Sequence, residues 1–381
     1  MEYRMRLAVM ALAALLAACG DGSGPRTSAV RVVGDSLNDS GTFGFKFTVQ
    51  DALDGTRIWT DHVADAVGVD APCARHAALG EFSLIENPAA VDCLSYAVGK
   101  GRINVPDADA KLGGDATPFS IPHQLDRMSR AKAFGPDELL LADGGGNDVA
   151  DLLRAYLNAG MDGGVSFAQL LAELPMPDPM PQTPFDADAG AVYMTALADK
   201  LADDIRNLAL MQGARRVVVL NIPQLTKTPY LKAMVPVLEG MSGGGDVGRA
   251  AASQVMDRVD LWIRAFNDRL QWRFATEGRV AVVDLHNPFR LWVDRPTDFG
   301  FTDSSHVACP PETGVLDSLG LPVYVLGNCQ AWRLSAYPPV GAAGTNWWTT
   351  YVFADDFHGS PMTNRLMADL VLHELRERGW L

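Results

Sequence analysis

Four short, predominantly apolar stretches constrain the fold of this chain more than any other feature. They are AVRVV (29–33), ELLLA (138–142), ARRVVVLNI (214–222) and RVAVVDL (279–285). Runs of this length, without alternating polar residues, are typical of strands that are covered on both faces of a parallel sheet. Amphipathic helical patterns separate them, and this alternation predicts an α/β fold with a doubly wound, mainly parallel sheet. We therefore expect helices on both faces of the sheet.

These stretches belong to one predicted domain, residues 29–381. The hydrophobic content of 48 % is enough for a full core. A Pro-rich segment (175–184) and a Gly-rich segment (240–248) are predicted to be surface loops, and neither separates regions of different composition. The last helix is predicted to begin at Pro361, with Ser360 as its N-cap. The formal net charge of −14 argues against nucleic acid as a partner, because nucleic acid is also negatively charged.

The N-terminus is predicted to be an export signal. Arg4 and Arg6 precede an uncharged apolar run that is shorter than the about 20 residues of a transmembrane helix. The run ends in LLAAC, which resembles the lipobox of bacterial lipoproteins and predicts that Cys19 carries a lipid. Residues 1–18 are then a signal peptide, residues 19–28 are a lipidated tether, and the lipid is the only contact with a membrane. The protein would face the periplasm or the exterior. An ordinary signal peptide, which would give a secreted protein, is the alternative.

The other four cysteines are predicted to form disulfides, because an even number of cysteines in an exported chain suggests pairing. Four cysteines allow three pairings, and Cys73–Cys93 with Cys309–Cys329 close the shortest loops. A zinc site is the alternative, but no CxxC motif or cluster of cysteine and histidine supports it. We therefore predict these two disulfides and no metal.

Two of the apolar stretches end in clusters of glycine and small polar residues. GDSLND follows the first stretch, and DGGGND follows the second. In an open α/β sheet, ligands bind beyond the carboxyl ends of the strands, so we expect both clusters at the same edge of the sheet. This arrangement would bring Ser36 close to Asn147. From the local sequence alone, Ser36 is either a helix cap or a nucleophile.

A nucleophilic serine needs a base to take its proton and a group to orient that base. Of the seven histidines, His358 in FADDFHGSP stands at the predicted start of a helix, three residues after Asp355. A single turn can bring that carboxylate against the imidazole. The alternative is that Asp355 and Asp356 are solvated acids before a helix. His373 lies in a charged helical stretch and is expected at the surface.

Taken together in chain order, these motifs resemble those of the GDSL branch of the SGNH hydrolases. The matching segments are Ser36 in GDSL, Asn147 in GGND, Asp355 with His358 in DDFH, and SYAVGKGRI (95–103), which resembles the family's second block. The resemblance covers nearly the whole chain from residue 29 onward. It implies the three-layer, flavodoxin-like architecture of the SGNH fold and a serine mechanism that uses no cofactor and no metal.

The resemblance implies that Ser36 attacks an ester carbonyl, that His358 acts as base and then as acid, and that Asp355 orients His358. The predicted function is a serine esterase or lipase acting on carboxylic esters, either small-molecule or lipid esters. An acyltransferase with the same residues is one alternative, in which an alcohol replaces water. A catalytically inactive surface-binding lipoprotein is another, and the complete set of catalytic residues argues against it.

The resemblance also implies an oxyanion hole. Its donors are expected to be the backbone N–H of Ser36, the side-chain amide of Asn147 and a backbone N–H from the second block. When the segment is aligned without gaps to the family's second block, this third donor falls on Lys100, where the family has glycine. Gly101 is the alternative, because lysine serves only if it adopts a backbone conformation that glycine adopts freely.

Overall fold

The computed structural model describes residues 26–53, 55–175, 188–342 and 344–381. The predicted signal peptide (1–18), Cys19 and most of the tether lie outside these ranges. All but the first residue of the predicted Pro-rich loop (175–184) also lies outside them.

The described residues form strands and helices in the following order. The strands are β1 (Ala29–Val33), β2 (His76–Gly80), β3 (Ser83–Glu86), β4 (Glu138–Ala142), β5 (Arg216–Leu220), β6 (Val280–Val283), β7 (Asp303–Val307) and β8 (Tyr351–Phe353). The helices are α1 (Trp59–Ala66), α2 (Ile121–Ala131), α3 (Gly146–Asp162), α4 (Val165–Ala172), α5 (Ala189–Ile205), α6 (Pro229–Met241), α7 (Gly245–Phe274), α8 (His286–Asp294), α9 (Ala331–Ala336) and α10 (Pro361–Glu377).

The central sheet has the strand order β1-β4-β5-β6, and all of its neighbouring strands are parallel. On the other side of β1, a parallel bridge joins Val32 to Ser95. After β1, the chain therefore first pairs on one side of this strand, at Ser95. The later strands β4, β5 and β6 are then added on the other side. This reversal confirms the predicted doubly wound topology, and it lies beside β1, where such folds bind ligands.

Alternate residues of the central strands face opposite layers of the core. Val33, Leu140 and Val217 pack with helices α2 to α7 on one face. Their neighbours Leu141 and Val218 pack with α1, α8 and α10 on the other face. Both faces of the strands are thus buried, which is why their sequences are continuously apolar rather than alternating. The predicted three-layer architecture is confirmed.

Some predicted boundaries differ from the structure. The stretches 214–222 and 279–285 contain strands that are shorter than predicted. The Gly-rich segment 240–248 is only partly a loop, because α7 begins inside it. Its Gly248 lies against α6, where a Cβ atom would come within 2.4 Å of the Glu239 carbonyl oxygen. Glycine at this position therefore allows the two helices to approach closely, which its sequence did not reveal.

The start of α10 is as predicted. The helix begins at Pro361, and the hydroxyl of Ser360 accepts a hydrogen bond from the backbone N–H of Thr363 at 3.4 Å. Proline suits this position because the first helical N–H needs no partner within the helix. The cap fixes the end of the loop that carries Asp355 and His358.

The structure contains disulfides between Cys73 and Cys93 and between Cys309 and Cys329. Each joins residues 20 positions apart. Closing a loop of this length restricts the unfolded chain by about 3 kcal/mol. Among the described residues, none of the helices is long and apolar enough to cross a membrane.

Candidate active site

The ends of β1 and β4 bring the two predicted polar clusters together. The backbone N–H of Asp35 donates to the Asp143 carboxylate at 2.9 Å, and Asn147 lies in the first turn of α3, which follows β4. A Cβ atom on Gly34 would lie 1.7 Å from the same carboxylate, so only glycine permits this approach. The loop that carries Ser36 is thereby fixed against the loop that leads to Asn147.

Ser36, His358 and Asp355 form a continuous hydrogen-bonded chain. The Nε2 atom of His358 lies 2.8 Å from the Ser36 Oγ, and its Nδ1 lies 2.8 Å from the Asp355 Oδ2. The other Asp355 oxygen, Oδ1, accepts hydrogen bonds from the backbone N–H groups of Phe357 at 2.9 Å and His358 at 2.5 Å. The ring of Phe47 packs 4.9 Å from the imidazole, centroid to centroid. This arrangement can transfer a proton from the serine hydroxyl to the imidazole.

The electrostatics of the pair favour an ionised Asp355. Burial raises the pKa of Asp355, but the charge of His358 and the hydrogen bonds from its ring and backbone outweigh burial and lower that pKa below its ordinary value. Burial lowers the pKa of His358, and the charge and hydrogen bond of Asp355 raise it above its ordinary value. Asp355 therefore stabilises a protonated imidazole at this position.

Backbone N–H groups with no protein acceptor lie at two of the predicted oxyanion positions. Within the described residues, the N–H groups of Ser36 and Lys100 donate to no protein group. Lys100 has φ of +69° and is the only described residue other than glycine with positive φ. The N–H of Gly101 already donates to the Val98 carbonyl at 2.9 Å. This geometry favours Lys100 over Gly101 as a donor, at a conformational cost of about 1–2 kcal/mol.

Three buried carboxyl groups hold the loops around these donors. Asp39 accepts the N–H of Gly99 at 2.7 Å, beside Lys100. Asp148 accepts the N–H groups of Ile103 at 3.1 Å and Asn104 at 2.9 Å. Burial raises the pKa of Asp39 to about 6 and that of Asp148 to about 7. Burial raises the pKa of Asp143 well above its ordinary value, and the charge of Asp35 raises it further. The roles of these three carboxyl groups are not evident from the sequence, because their partners lie far away along the chain.

Comparison with known proteins assigns the family. A sequence profile of the GDSL-like lipase/acylhydrolase family matches residues 30–371. The chain belongs to this family. This GDSL-family protein is therefore a hydrolase that acts on ester bonds.

Other comparisons add little to this assignment. The crystal structure of the extracellular lipase of Streptomyces rimosus matches this GDSL-family chain with a TM-score of 0.34. The two sequences are 17 % identical. The match covers 69 % of this chain and 82 % of the lipase. A likeness at this level does not bear on function. No curated protein matches the chain.

A second histidine of this GDSL-family protein has an acidic partner at the same spacing as the first. The Nδ1 atom of His306 lies 2.8 Å from the Asp303 Oδ2, three residues earlier. From the sequence, only Asp355 and His358 are predicted to form such a pair. His306 is exposed and makes no hydrogen bond to a serine side chain within the described residues. The contact with Ser36, rather than the acid–histidine spacing, therefore distinguishes His358.

Helix α3 separates two clefts beside Asn147. The polar cleft, of about 640 Å³, is lined by Lys100, Arg102, Lys111, Asn147, Arg154 and Glu173 among others. The apolar cleft, of about 540 Å³, is lined by residues that include Val149, Leu153, Leu157, Leu231, Met234 and Phe357. Ala150, Arg154 and Asn158 line both clefts, and their spacing of four residues places them on one ridge of the helix. The GDSL-family site is thus flanked by one polar and one apolar space.

No cluster of three or more histidine, cysteine, aspartate or glutamate side chains suited to a metal ion occurs in the part of the chain that the structure describes.

Proposed function

We propose that this protein is a serine esterase or lipase in which Ser36 is the nucleophile, His358 the general base and acid, and Asp355 the orienting carboxylate. The observation that supports this proposal best is the 2.8 Å contact between the His358 Nε2 and the Ser36 Oγ. The distance lies within the range required of a general base and its nucleophile. The imidazole is in turn held by Asp355 on its other nitrogen.

The reaction proceeds through an acyl-enzyme. The Ser36 Oγ attacks the ester carbonyl carbon while its proton passes to the Nε2 atom of His358. His358 then returns the proton to the oxygen of the departing alcohol as the C–O bond breaks. A water molecule, deprotonated by His358, attacks the acyl-serine and releases the acid. Ser36 recovers its proton, so the cycle needs no other co-reactant than water.

Asp355 has two effects in this cycle. Its carboxylate accepts a hydrogen bond from the Nδ1–H of His358, which keeps the proton of the neutral imidazole on Nδ1. The Nε2 atom therefore faces the serine as an acceptor. Its negative charge stabilises the imidazolium that forms when the serine proton is transferred. Both effects depend on an ionised carboxylate, which agrees with the lowered pKa of Asp355.

The oxyanion of the tetrahedral intermediate is bound by the N–H groups of Ser36 and Lys100 and by the amide of Asn147. The Asn147 Nδ2 donates one hydrogen bond to the Gly101 carbonyl at 2.9 Å, which orients the amide. Its second N–H makes only a long contact, of 3.5 Å, with the Asp35 Oδ2, and we assign this N–H to the oxyanion. Because these donors are fixed before the reaction, they stabilise the transition state without reorganisation.

Replacing Asn147 by alanine tests this assignment. The wild-type protein is expected to release nitrophenol from nitrophenyl esters. Asn147→Ala should lower kcat about 100- to 1000-fold with little change in KM, because the oxyanion exists only during the reaction. Steady-state kinetics measure both constants, and circular dichroism checks the fold. A variant with unchanged kcat and a raised KM would show instead that Asn147 binds the ground-state substrate.

The apolar cleft is proposed to hold an aliphatic arm of the ester. Its walls come from α3 and α6, and Phe357 lies immediately before His358 in the chain. The ring of Tyr230 lies 4.9 Å from that of Phe357, so aromatic surface continues from the catalytic loop into the cleft. Burial of each methylene group there contributes about 0.8 kcal/mol. The value of kcat/KM is therefore expected to increase with chain length until the cleft is filled.

The protein is proposed to be exported and anchored by a lipid on Cys19. The two disulfides are of the kind that persists in oxidising compartments outside the cytoplasm. Together with the LLAAC motif, they support maturation of residues 1–18 as a signal peptide.

Substitution of Cys19 tests the anchor. The wild-type protein, expressed with its export signal in a bacterium, should partition into detergent. The Cys19→Ala variant has no thiol to carry the lipid and should remain in the aqueous phase. Phase separation followed by immunoblotting measures the two fractions. Equal partitioning of both proteins would contradict the anchor.

A further inference from the structure

The polar cleft carries positive charge in a protein that is strongly acidic as a whole. The formal net charge of the chain is −14. The charged side chains that line the cleft are nevertheless four cations and three acids, namely Lys100, Arg102, Lys111, Arg154, Asp109, Asp151 and Glu173. A local excess of cations beside an active site attracts anionic groups of a substrate.

Three of these charged groups, Arg102, Asp151 and Glu173, already bind protein partners. Arg102 is buried and bound to Asp151 by two hydrogen bonds, of 2.6 and 3.2 Å. The Glu173 carboxylate accepts hydrogen bonds from the side-chain amide of Asn104 at 2.7 Å and from the backbone N–H of Asp107 at 3.1 Å. These groups shape the wall of the cleft and have little capacity left for a ligand.

Lys111 and Arg154 remain available. Lys111 forms no ion pair with a described residue, and its Nζ lies 5.8 Å from the centre of the Phe82 ring. Arg154 reaches Asp151 only at 3.6 Å, and that carboxylate is already bound by Arg102. The Arg154 side chain is 61 % exposed. One cation without an ion pair and one that shares its carboxylate with Arg102 therefore face the same cleft.

We propose that the polar cleft binds an anionic group of the ester substrate, a carboxylate, phosphate or sulfate, with Lys111 and Arg154 as its counter-charges. Arg154 lies seven residues after Asn147 on α3, which corresponds to about 10 Å along the helix. The anionic group therefore lies about that far from the oxyanion. With the apolar cleft on the other side of the same helix, the substrate is an amphiphilic ester. This inference rests on the proposed function.

The experiment compares matched pairs of neutral and anionic esters. On the acyl side, p-nitrophenyl pentanoate is compared with the mono-p-nitrophenyl ester of glutaric acid. On the alcohol side, the butyrate ester of 4-hydroxybenzamide is compared with that of 4-hydroxybenzoate. The measured quantity is the ratio of kcat/KM for the anionic ester to kcat/KM for the neutral one. The pair that responds identifies which arm of the ester carries the anionic group.

A double charge reversal tests the two residues. Lys111→Glu combined with Arg154→Glu should lower the ratio at least about 10-fold for one pair of esters, because two attractions become repulsions. Arg130→Glu with Arg249→Glu is the control, since it changes the net charge equally at exposed positions that line neither cleft. The control ratio should change less than about twofold. Raising the salt concentration should reduce the wild-type ratio towards that of the variant.

The possible outcomes separate the two proposals. An unchanged ratio for both pairs, or an equal fall in the control, overturns the cleft proposal while hydrolysis of neutral esters leaves the proposed function standing. If the wild-type protein hydrolyses none of the esters, the proposed function is overturned and the cleft proposal with it. If the double variant does not fold, as judged by circular dichroism, Lys111→Gln and Arg154→Gln replace it. Each should then lower the ratio about threefold.

Discussion

The Ser36→Ala variant is expected to lose ester hydrolysis by a factor on the order of 10⁶ in kcat while keeping its fold. Without the hydroxyl no acyl-enzyme can form, and loss of a nucleophile of this type has an effect of this size. The residual rate should come from the oxyanion donors and substrate binding, which remain in place. Nitrophenyl ester hydrolysis measures the rate, and circular dichroism and thermal unfolding measure the fold.

Ser40 supplies a matched control for this experiment. It lies in the same loop, and its hydroxyl is buried without a hydrogen-bond partner among the residues that the structure describes. Ser40→Ala removes a polar group that makes no bond, so its kcat should stay within about threefold of wild type. An organophosphonate that reacts with activated serines should label the wild-type and Ser40→Ala proteins and should not label Ser36→Ala. Retention of wild-type turnover by a folded Ser36→Ala variant would refute the nucleophile assignment.

Those parts of the fold and site that depend on local sequence could be predicted from it. The strand positions follow from apolar runs, and parallel strands carry whatever follows them to one edge of the sheet. This placed the loops of Ser36 and Asn147 together, although they are far apart in the chain. The Asp355–His358 contact is also local, since one turn of backbone spans three residues. The local sequence made His358 a candidate base, and the family resemblance then predicted its contact with Ser36.

Other features depend on packing between distant segments, which no local pattern encodes. Asp39 and Asp148 look like ordinary polar residues beside the motifs, yet both are buried and bind backbone N–H groups of the second block. The left-handed conformation of Lys100 occurs next to the Gly99 N–H that Asp39 binds. The polar cleft depends on Lys111, in a turn, and Arg154, on α3, lining the same space. The glycine at position 248 likewise serves a contact between two helices.

Asp355→Asn is expected to lower kcat about 10⁴-fold. An asparagine can fill the same space, but its amide group donates to Nδ1 and so leaves the proton on Nε2, facing Ser36. In this tautomer His358 cannot accept the serine proton, and the loss of the negative charge removes support for the imidazolium. The serine, the oxyanion donors and both clefts are unchanged, so KM should change little. Steady-state kinetics on a neutral nitrophenyl ester measure this effect.

The pH dependence of kcat/KM separates the orienting role of Asp355 from a general effect of removing a negative charge near the site. Catalysis needs neutral His358, so kcat/KM rises as pH increases through its pKa. Asp355 raises that pKa above its ordinary value. When Asp355 is replaced, burial lowers the pKa of His358, so the midpoint of the rise should move to lower pH.

Asp356→Asn is the matched control. Burial and the charge of Asp355 raise the pKa of Asp356 to about 7, and its carboxylate makes no hydrogen bond to His358. Its loss should leave kcat within about threefold and move the midpoint less. Equal losses in the two variants would mean that negative charge near the imidazole matters and that the Asp355 hydrogen bond does not.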